Sequence, residues 1–187
     1  MMIFCAIAGV FWRNEYVYSL PTPVPEGYSK VAFGETVGLN GKIETHGKPV
    51  FLHFFNPGCP CSKFNIPQFK SIVKKYNDKI DFAIVVLSKE KKYSASDISD
   101  KFNLNIPVYF DQDIAKKCGV YSTPQAVLVV DDKLYYRGNY NKSRYCTAKN
   151  SNYAEMAIDS LLENISAPSF NQYALVSYGC TLPNCKK

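Results

Sequence analysis

Residues 49–67 read Pro-Val-Phe-Leu-His-Phe-Phe-Asn-Pro-Gly-Cys-Pro-Cys-Ser-Lys-Phe-Asn-Ile-Pro. Residues 49–55 form a continuous run of apolar β-formers, the pattern of a strand buried on both faces. Asn56, Pro57 and Gly58 break that run with turn residues. Over 62–76 the apolar positions Phe64, Ile66, Phe69, Ile72, Val73 and Tyr76 recur at helical spacing. Pro67 falls about one turn into this helix, where it removes a backbone donor and predicts a kink. The stretch is thus a buried strand, a sharp turn and a helix, with Cys59 at the helix start. A thiol there meets unpaired backbone N–H groups and the positive end of the helix dipole, which favours the reactive thiolate.

The flanking sequence extends the pattern. Residues 81–87 predict a second buried strand, 94–102 a helix with a serine or aspartate near its start, 107–110 a short strand and 113–118 a short helix. Residues 125–130 and 134–137 predict two strands joined as a hairpin through Asp131, Asp132 and Lys133, and 153–162 a closing helix. Residues 31–46, rich in glycine and turn signals, predict short strands or a hairpin. The order β-α-β-α-β-α-β-β-α predicts an α/β fold, a central mixed β-sheet flanked by helices with an antiparallel hairpin at one edge.

A chain of 187 residues, 47% of them hydrophobic, buries a sizeable core without metals or disulfides. The net charge of +6 is dispersed. Lysines fall singly or in pairs (Lys74-Lys75, Lys91-Lys92, Lys116-Lys117) and no basic run interleaves with aromatics, so they read as solvated faces rather than a nucleic-acid stripe. Seven cysteines stand at 5, 59, 61, 118, 146, 180 and 185. Cys146, Cys180 and Cys185 lie in a polar, loop-like region, a usage natural to an oxidising compartment. Their pairing is left open by the sequence; Cys146 with Cys180, stapling the tail to the domain and sparing Cys185, is one arrangement.

Residues 1–12 are almost wholly apolar, but as a helix they cover only ~18 Å of a ~30 Å hydrocarbon core. No Lys or Arg precedes them, unlike a signal peptide. Arg13 follows, and Trp12, Tyr16 and Tyr18 suit an interfacial belt. The reading adopted is a membrane anchor over 1–20 with a truncated start; a core helix or strand is the alternative. Pro21, Pro23 and Pro25 then give an extended spacer over 21–30, with the boundary near Gly27. The main domain is expected over 31–163, and a cysteine-containing tail over 164–187.

Cys59, Cys61 and Pro67 after a buried strand resemble the active-site motif of the thioredoxin-like superfamily, W-C-x-x-C followed by four residues and a proline. Val120-Tyr-Ser-Thr-Pro124, ahead of the strand at 125–130, is similar to that superfamily's cis-proline loop. The resemblance covers roughly 31–163. It looks closest to the membrane-anchored TlpA-like redoxins, a group allied to the AhpC/TSA-type proteins, and Arg137 to Tyr140 also fits their last strand. It implies a thioredoxin-like fold and thiol–disulfide exchange with extracytoplasmic protein thiols, on the periplasmic side of a bacterial inner membrane. It also implies an upstream redox partner, no cofactor and no metal. Carried over residue by residue, Cys59 is the nucleophile, Cys61 its resolving partner, and Thr123 and Pro124 present the substrate backbone.

Two departures from the pattern matter. The usual resolving position is Ser62, so Cys61 comes one residue early, and whether Cys61 or a tail cysteine resolves Cys59 stays open. His53 stands where the superfamily places a buried acid or asparagine; it is either a proton shuttle for the resolving thiol or a strand histidine satisfied by one hydrogen bond. Cys118 is either a core residue or a second resolving thiol. A peroxiredoxin-like peroxidase is a second function class, with Arg137 or Arg144 as thiolate stabiliser, but Asn56 and Leu52 occupy that family's threonine and proline positions. A copper- or partner-binding module using Cys59, Cys61 and His53 is a third; His46, the other histidine, lies outside the motif.

Overall fold

The computed structural model describes residues 2–88, 93–165 and 168–182. Lys91, Lys92 and Cys185 lie outside these residues. A five-stranded sheet runs in the order β3-β2-β1-β5-β6. Its strands are β1 (Val50–Phe55), β2 (Asp81–Val86), β3 (Val108–Tyr109), β5 (Gln125–Val130) and β6 (Lys133–Gly138). β1, β2 and β3 are parallel; β5 runs antiparallel to β1, and β6 antiparallel to β5. This is the thioredoxin-like α/β arrangement expected from the sequence.

All six residues of β1 are buried, because both faces of the sheet are covered. On one face Phe51 and Phe55 pack with Phe69, Ile72, Val73 and Tyr76 of α4 (Ile66–Tyr76), with Ile98 and Phe102 of α5 (Ala95–Phe102), and with Ala154, Ala157 and Ile158 of α7 (Tyr153–Leu162). On the other, Leu52 and Phe54 meet Ile114 and Ala115 of α6 (Gln112–Lys117), together with Cys118, Val37, Leu39 and Ile43. A fully buried aliphatic or phenyl side chain contributes about 1.5–3 kcal/mol, so this double-sided strand anchors the domain.

Local chemistry sets the element ends. The helix after β1 is split into α3 (Pro60–Phe64) and α4 at Asn65, one residue ahead of Ile66 and Pro67. Pro67 has no N–H for the carbonyl of Lys63, so the break is the kink predicted from the sequence. Ser94 caps α5 in a reciprocal capping box with Asp97. Asp131 and Asp132 take φ of 49° and 61°, the left-handed pair a tight hairpin requires, and they join β5 directly to β6 at Lys133.

Residues 31–46 do not form the expected hairpin or strands. Their pairing is confined to isolated bridges, Thr36 with Lys133 and Asn40 with Ile43. The segment is tied down by the Asp132 carboxylate, which accepts from the Leu39 N–H at 2.7 Å, and by backbone bonds of Gly34, Glu35 and Val37 to Leu134 and Asp132. Val37, Leu39 and Ile43 then close the second face of the core.

The tail folds back on the domain. α8 (Gln172–Leu175) lies against the end of β6, where Asn139 Nδ2 donates to the carbonyls of Tyr173 (2.8 Å) and Val176 (2.6 Å). Gly138 allows this approach, since a Cβ there would collide with the Ala174 carbonyl and come within 2.8 Å of the Tyr136 ring. Beyond α8, β7 (Cys180–Thr181) pairs antiparallel with β4 (Ser122–Thr123). At the other end of the chain, α1 (Met2–Phe11), a π-helical turn (Trp12–Tyr16) and α2 (Val17–Ser19) form a helix from which no residue is buried. Among the described residues no helix is long and apolar enough to cross a membrane.

Gly138→Ala is expected to lower stability by about 1–3 kcal/mol through overpacking. It is also expected to loosen the tail, read as a lower melting temperature together with faster amide exchange over residues 172–181. Unchanged exchange there would show that Gly138 does not set the docking of α8.

Candidate active site

Cys59 stands at the junction of β1 and α3. The Asn56 side chain accepts from the Gly58 N–H at 2.9 Å, and the Asn56 carbonyl accepts from the Cys59 N–H at 3.0 Å. This Asx-type turn delivers Cys59 to the N-cap of α3. Ser62, at the usual resolving position, is fully buried and accepts from the Asn56 N–H at 3.2 Å, so it secures the turn.

Cys61 lies one residue into α3 from Pro60 and is buried with Cys59. The third member of the cluster comes from the tail: the Cys59 and Cys180 sulfurs are 2.8 Å apart. Cys61 hydrogen-bonds to both thiols; those bonds and burial push its own thiol far above the ordinary range. The three sulfurs lie within 4.8 Å of one another. The separation of Cys59 and Cys180 is a hydrogen-bonding contact, longer than the ~2.05 Å of a disulfide. Cys180 is therefore placed on Cys59 rather than paired with Cys146, which instead accepts from Asn65 Nδ2 at 3.0 Å, its thiol pushed up to about 12 by burial.

Pro124 follows Thr123 through a cis peptide bond, as the resemblance implied. In the β4–β7 pair, Thr123 is opposite Cys180. Two short elements thus bring the cis-proline loop and the thiol cluster together. A cleft of about 220 Å³ borders them, lined by Cys61, Pro124, Asn65, Tyr140, Cys146, Arg144 and Tyr18 among others. Of the three clustered thiols, Cys61 is the one in its wall. Tyr18 packs over the cysteines and the Arg144 guanidinium lies 4.2 Å above its ring, so the amino-terminal segment roofs the site. Thr22 fastens this roof to the tail: its N–H donates to the Ser177 carbonyl at 2.7 Å and its hydroxyl to the Gly179 carbonyl at 2.5 Å.

His53 is fully buried on the face of β1 that carries Phe51 and Phe55. It stacks on Phe69 at 4.4 Å and pairs through Nδ1 with the Tyr140 hydroxyl at 2.7 Å. Desolvation pulls its pKa down to about 3, so the ring is neutral at physiological pH. Its hydrogen-bond partner is Tyr140, itself a wall of the cleft, and His53 is not among the groups clustered with the sulfurs. Cys118 is a core residue behind the opposite sheet face, its thiol raised to about 12 by burial. Arg137 donates to the carbonyls of Val31 (3.0 Å) and Cys118 (3.2 Å), and Arg144 to that of Asn14 (2.6 Å). His46 is exposed and faces Asp81 at 3.3 Å.

A family model matches residues 30–182. The chain belongs to that family, a domain of unknown function (DUF6436). The match includes the tail as far as Leu182, so the strand that carries Cys180 is part of the family's unit. No curated protein matches the chain in sequence. Among solved structures it is similar to a hypothetical protein of Sinorhizobium meliloti, at 15% identity and a TM-score of 0.67 over 82% of this chain and 95% of that one. It is also similar to an uncharacterized conserved protein of Geobacillus kaustophilus, at 19% identity and 0.59 over 88% and 92%. The thioredoxin domain of a thiol–disulfide oxidoreductase from Bacteroides vulgatus aligns more loosely, at 16% identity and 0.49 over 65% and 98%. The mixed sheet, the cysteines at the β1–α3 junction and the cis peptide bond before Pro124 make the DUF6436 chain thioredoxin-like in fold.

The buried neutral His53 gives a pH signature. Unfolded, its imidazole takes a proton near pH 6.5; folded, it resists protonation down to about pH 3. The folded state therefore holds fewer protons in that window, and its stability is full above pH 6.5 and falls as pH drops towards 3. The loss attributable to this group is of order 4 kcal/mol. His53→Gln, which keeps a partner for Tyr140 but does not titrate, is expected to flatten the fall, measured by urea unfolding between pH 7 and 4. An unchanged slope would assign the acid sensitivity to other groups.

Proposed function

We propose that this protein is a thiol–disulfide oxidoreductase whose nucleophile is Cys59 and whose resolving thiol is Cys61. The observation that carries this reading is the buried cluster in which the Cys59 sulfur, at the β1–α3 junction, lies 2.8 Å from one thiol sulfur while Cys61 hydrogen-bonds to both. The Cys59 thiolate attacks one sulfur of a substrate disulfide and expels the other as a thiolate, forming a mixed disulfide. Cys61 then attacks the Cys59 sulfur and releases the remaining substrate thiolate. Two electrons pass from the dithiol to the substrate, and the reverse sequence oxidises a substrate dithiol. Thr123 and Pro124, beside the cluster, present backbone to an incoming segment. No cofactor enters this scheme.

The substrates are protein thiols and disulfides outside the cytoplasm, and an upstream dithiol partner resets the enzyme. The amino-terminal helix rests on a membrane at its periplasmic face. What supports this placement is the apolar surface of α1, where Met2, Ile3, Phe4, Ile7, Val10 and Phe11 are all exposed, continued by the stacked pair Trp12 and Tyr16. A peroxidase role has less support, because Asn56 is used in the turn and Arg137 and Arg144 are engaged with backbone carbonyls. Cys59→Ser is expected to lower the rate of protein-disulfide reduction by at least a hundredfold. Cys61→Ser combined with Cys180→Ser, which leaves Cys59 no thiol partner in the cluster, is expected to trap the mixed disulfide with substrate. Retention of the full rate in Cys59→Ser would reject the mechanism.

One observation favours a second reading. Three buried sulfurs within 4.8 Å are a soft-ligand set suited to Cu(I). The third ligand is then Cys180, not the His53 considered from the sequence. On this reading the reduced protein withholds one Cu(I) per chain from a competing chelator, and Cys180→Ser weakens that hold at least tenfold. Equal competition by the wild type and the variant would remove it.

A further inference from the structure

We propose that Cys180 is a third redox-active thiol of this site, joining Cys59 in a disulfide that docks the tail beside Pro124 and that Cys61 then opens. The proposal rests on the oxidoreductase reading of Cys59. Its own support is the geometry of the tail. Cys180 is not brought to Cys59 by chance flexibility, because the segment before it is held at Ser177 and Gly179. Gln125 Nε2 donates to the buried Ser177 hydroxyl at 2.5 Å, Thr22 binds the carbonyls of Ser177 and Gly179, and β7 pairs with β4 in a register that sets Cys180 opposite Thr123. Gly179 completes the fit. A Cβ there would overlap the Thr123 carbonyl, so only glycine lets the strand come this close to the residue before Pro124.

The sulfurs need to approach from 2.8 Å to the ~2.05 Å of a disulfide, well within side-chain motion. An external disulfide is the oxidant. The Cys59 thiolate attacks it and expels the first thiolate; Cys180, as thiolate, attacks the Cys59 sulfur and expels the second. The external disulfide is reduced by two electrons and the Cys59–Cys180 bond is formed. Cys61, in contact with both, then attacks the Cys59 sulfur. The Cys59–Cys61 bond forms, Cys180 leaves as the thiolate, and the proton lost by Cys61 passes to it, with no net change in oxidation state. The tail is in this way an internal cysteine-bearing strand, added to the edge at β4 as a substrate strand would be.

The test is disulfide mapping of the full chain by non-reducing peptide mass spectrometry, after titration with limiting oxidised glutathione. In the wild type a Cys59–Cys180 peptide is expected, and in Cys61→Ser it is expected to accumulate at least fivefold, since the thiol that opens it is gone. Gly179→Ala, which leaves every cysteine in place, is expected to cut its yield at least tenfold and leave Cys59–Cys61. If the wild type and Cys61→Ser show no Cys59–Cys180 bond while the wild type forms Cys59–Cys61, the role of Cys180 is overturned and the oxidoreductase reading stands. If Cys59 enters no intramolecular disulfide at all, the oxidoreductase reading fails, and this one with it.

Discussion

Strand β1 has no exposed residue, and that constraint organises everything around it. A strand buried on both faces needs helices or loops over each and neighbours on both edges, because its backbone groups find no water. β2 and β5 satisfy the edges; α4, α5 and α7 cover one face, and α6 with residues 31–46 covers the other. The chain leaves β1 at Asn56 directly into a turn that has no freedom to drift. Cys59 is thus placed at the end of the fully buried strand, and its position against the neighbouring sulfurs is set by the core.

The elements whose signal lies in apolar periodicity were legible before the structure. β1 and β2 are uninterrupted β-forming runs, α4 carries Phe69, Ile72, Val73 and Tyr76 on one face, and Pro67 marks the helix break within two residues. The hairpin was legible from Asp131 and Asp132, residues that tolerate the left-handed backbone. Residues 31–46 were misread because glycines and turn residues signal reversals equally in hairpins and in irregular loops. What decides between them is a partner: Asp132 from the hairpin turn accepts from Leu39, and the few backbone bonds of Gly34, Glu35 and Val37 to Leu134 and Asp132 stop short of a ladder.

The site was half legible. Cys59, Cys61, Thr123 and Pro124 are carried by local motifs, and the fold brings them together at one end of the sheet. Cys180 carries no such signal. It lies 121 positions beyond Cys59, and the segment before it is docked by Asn139, Gln125 and Thr22 through hydrogen bonds, which leave no hydrophobic period in the sequence. His53 was legible as a position under the site but not in its partner. Tyr140, which takes its Nδ1, comes from beyond the end of β6, and a contact across that span is visible only once the sheet is assembled.

The roof over the cysteines follows from the same arrangement. Both ends of the chain converge on the cis-proline loop, one through Tyr18 and Thr22, the other through Gly179 and Cys180, and Thr22 ties them together. Burial of a thiol suppresses its ionisation, as the raised Cys118 and Cys146 show. Within the roofed site, hydrogen bonds to Cys180 and Cys59 together with burial hold Cys61 as the protonated thiol. The roof is fastened to the tail by Thr22, and the end of the tail is paired to β4 over only two residues on each strand, with a few side-chain bonds beside them. Such a short ladder is far easier to release than β1 is to expose, so the cover of the thiol cluster sits where the fold is weakest while Cys59 is held at the end of its most buried strand.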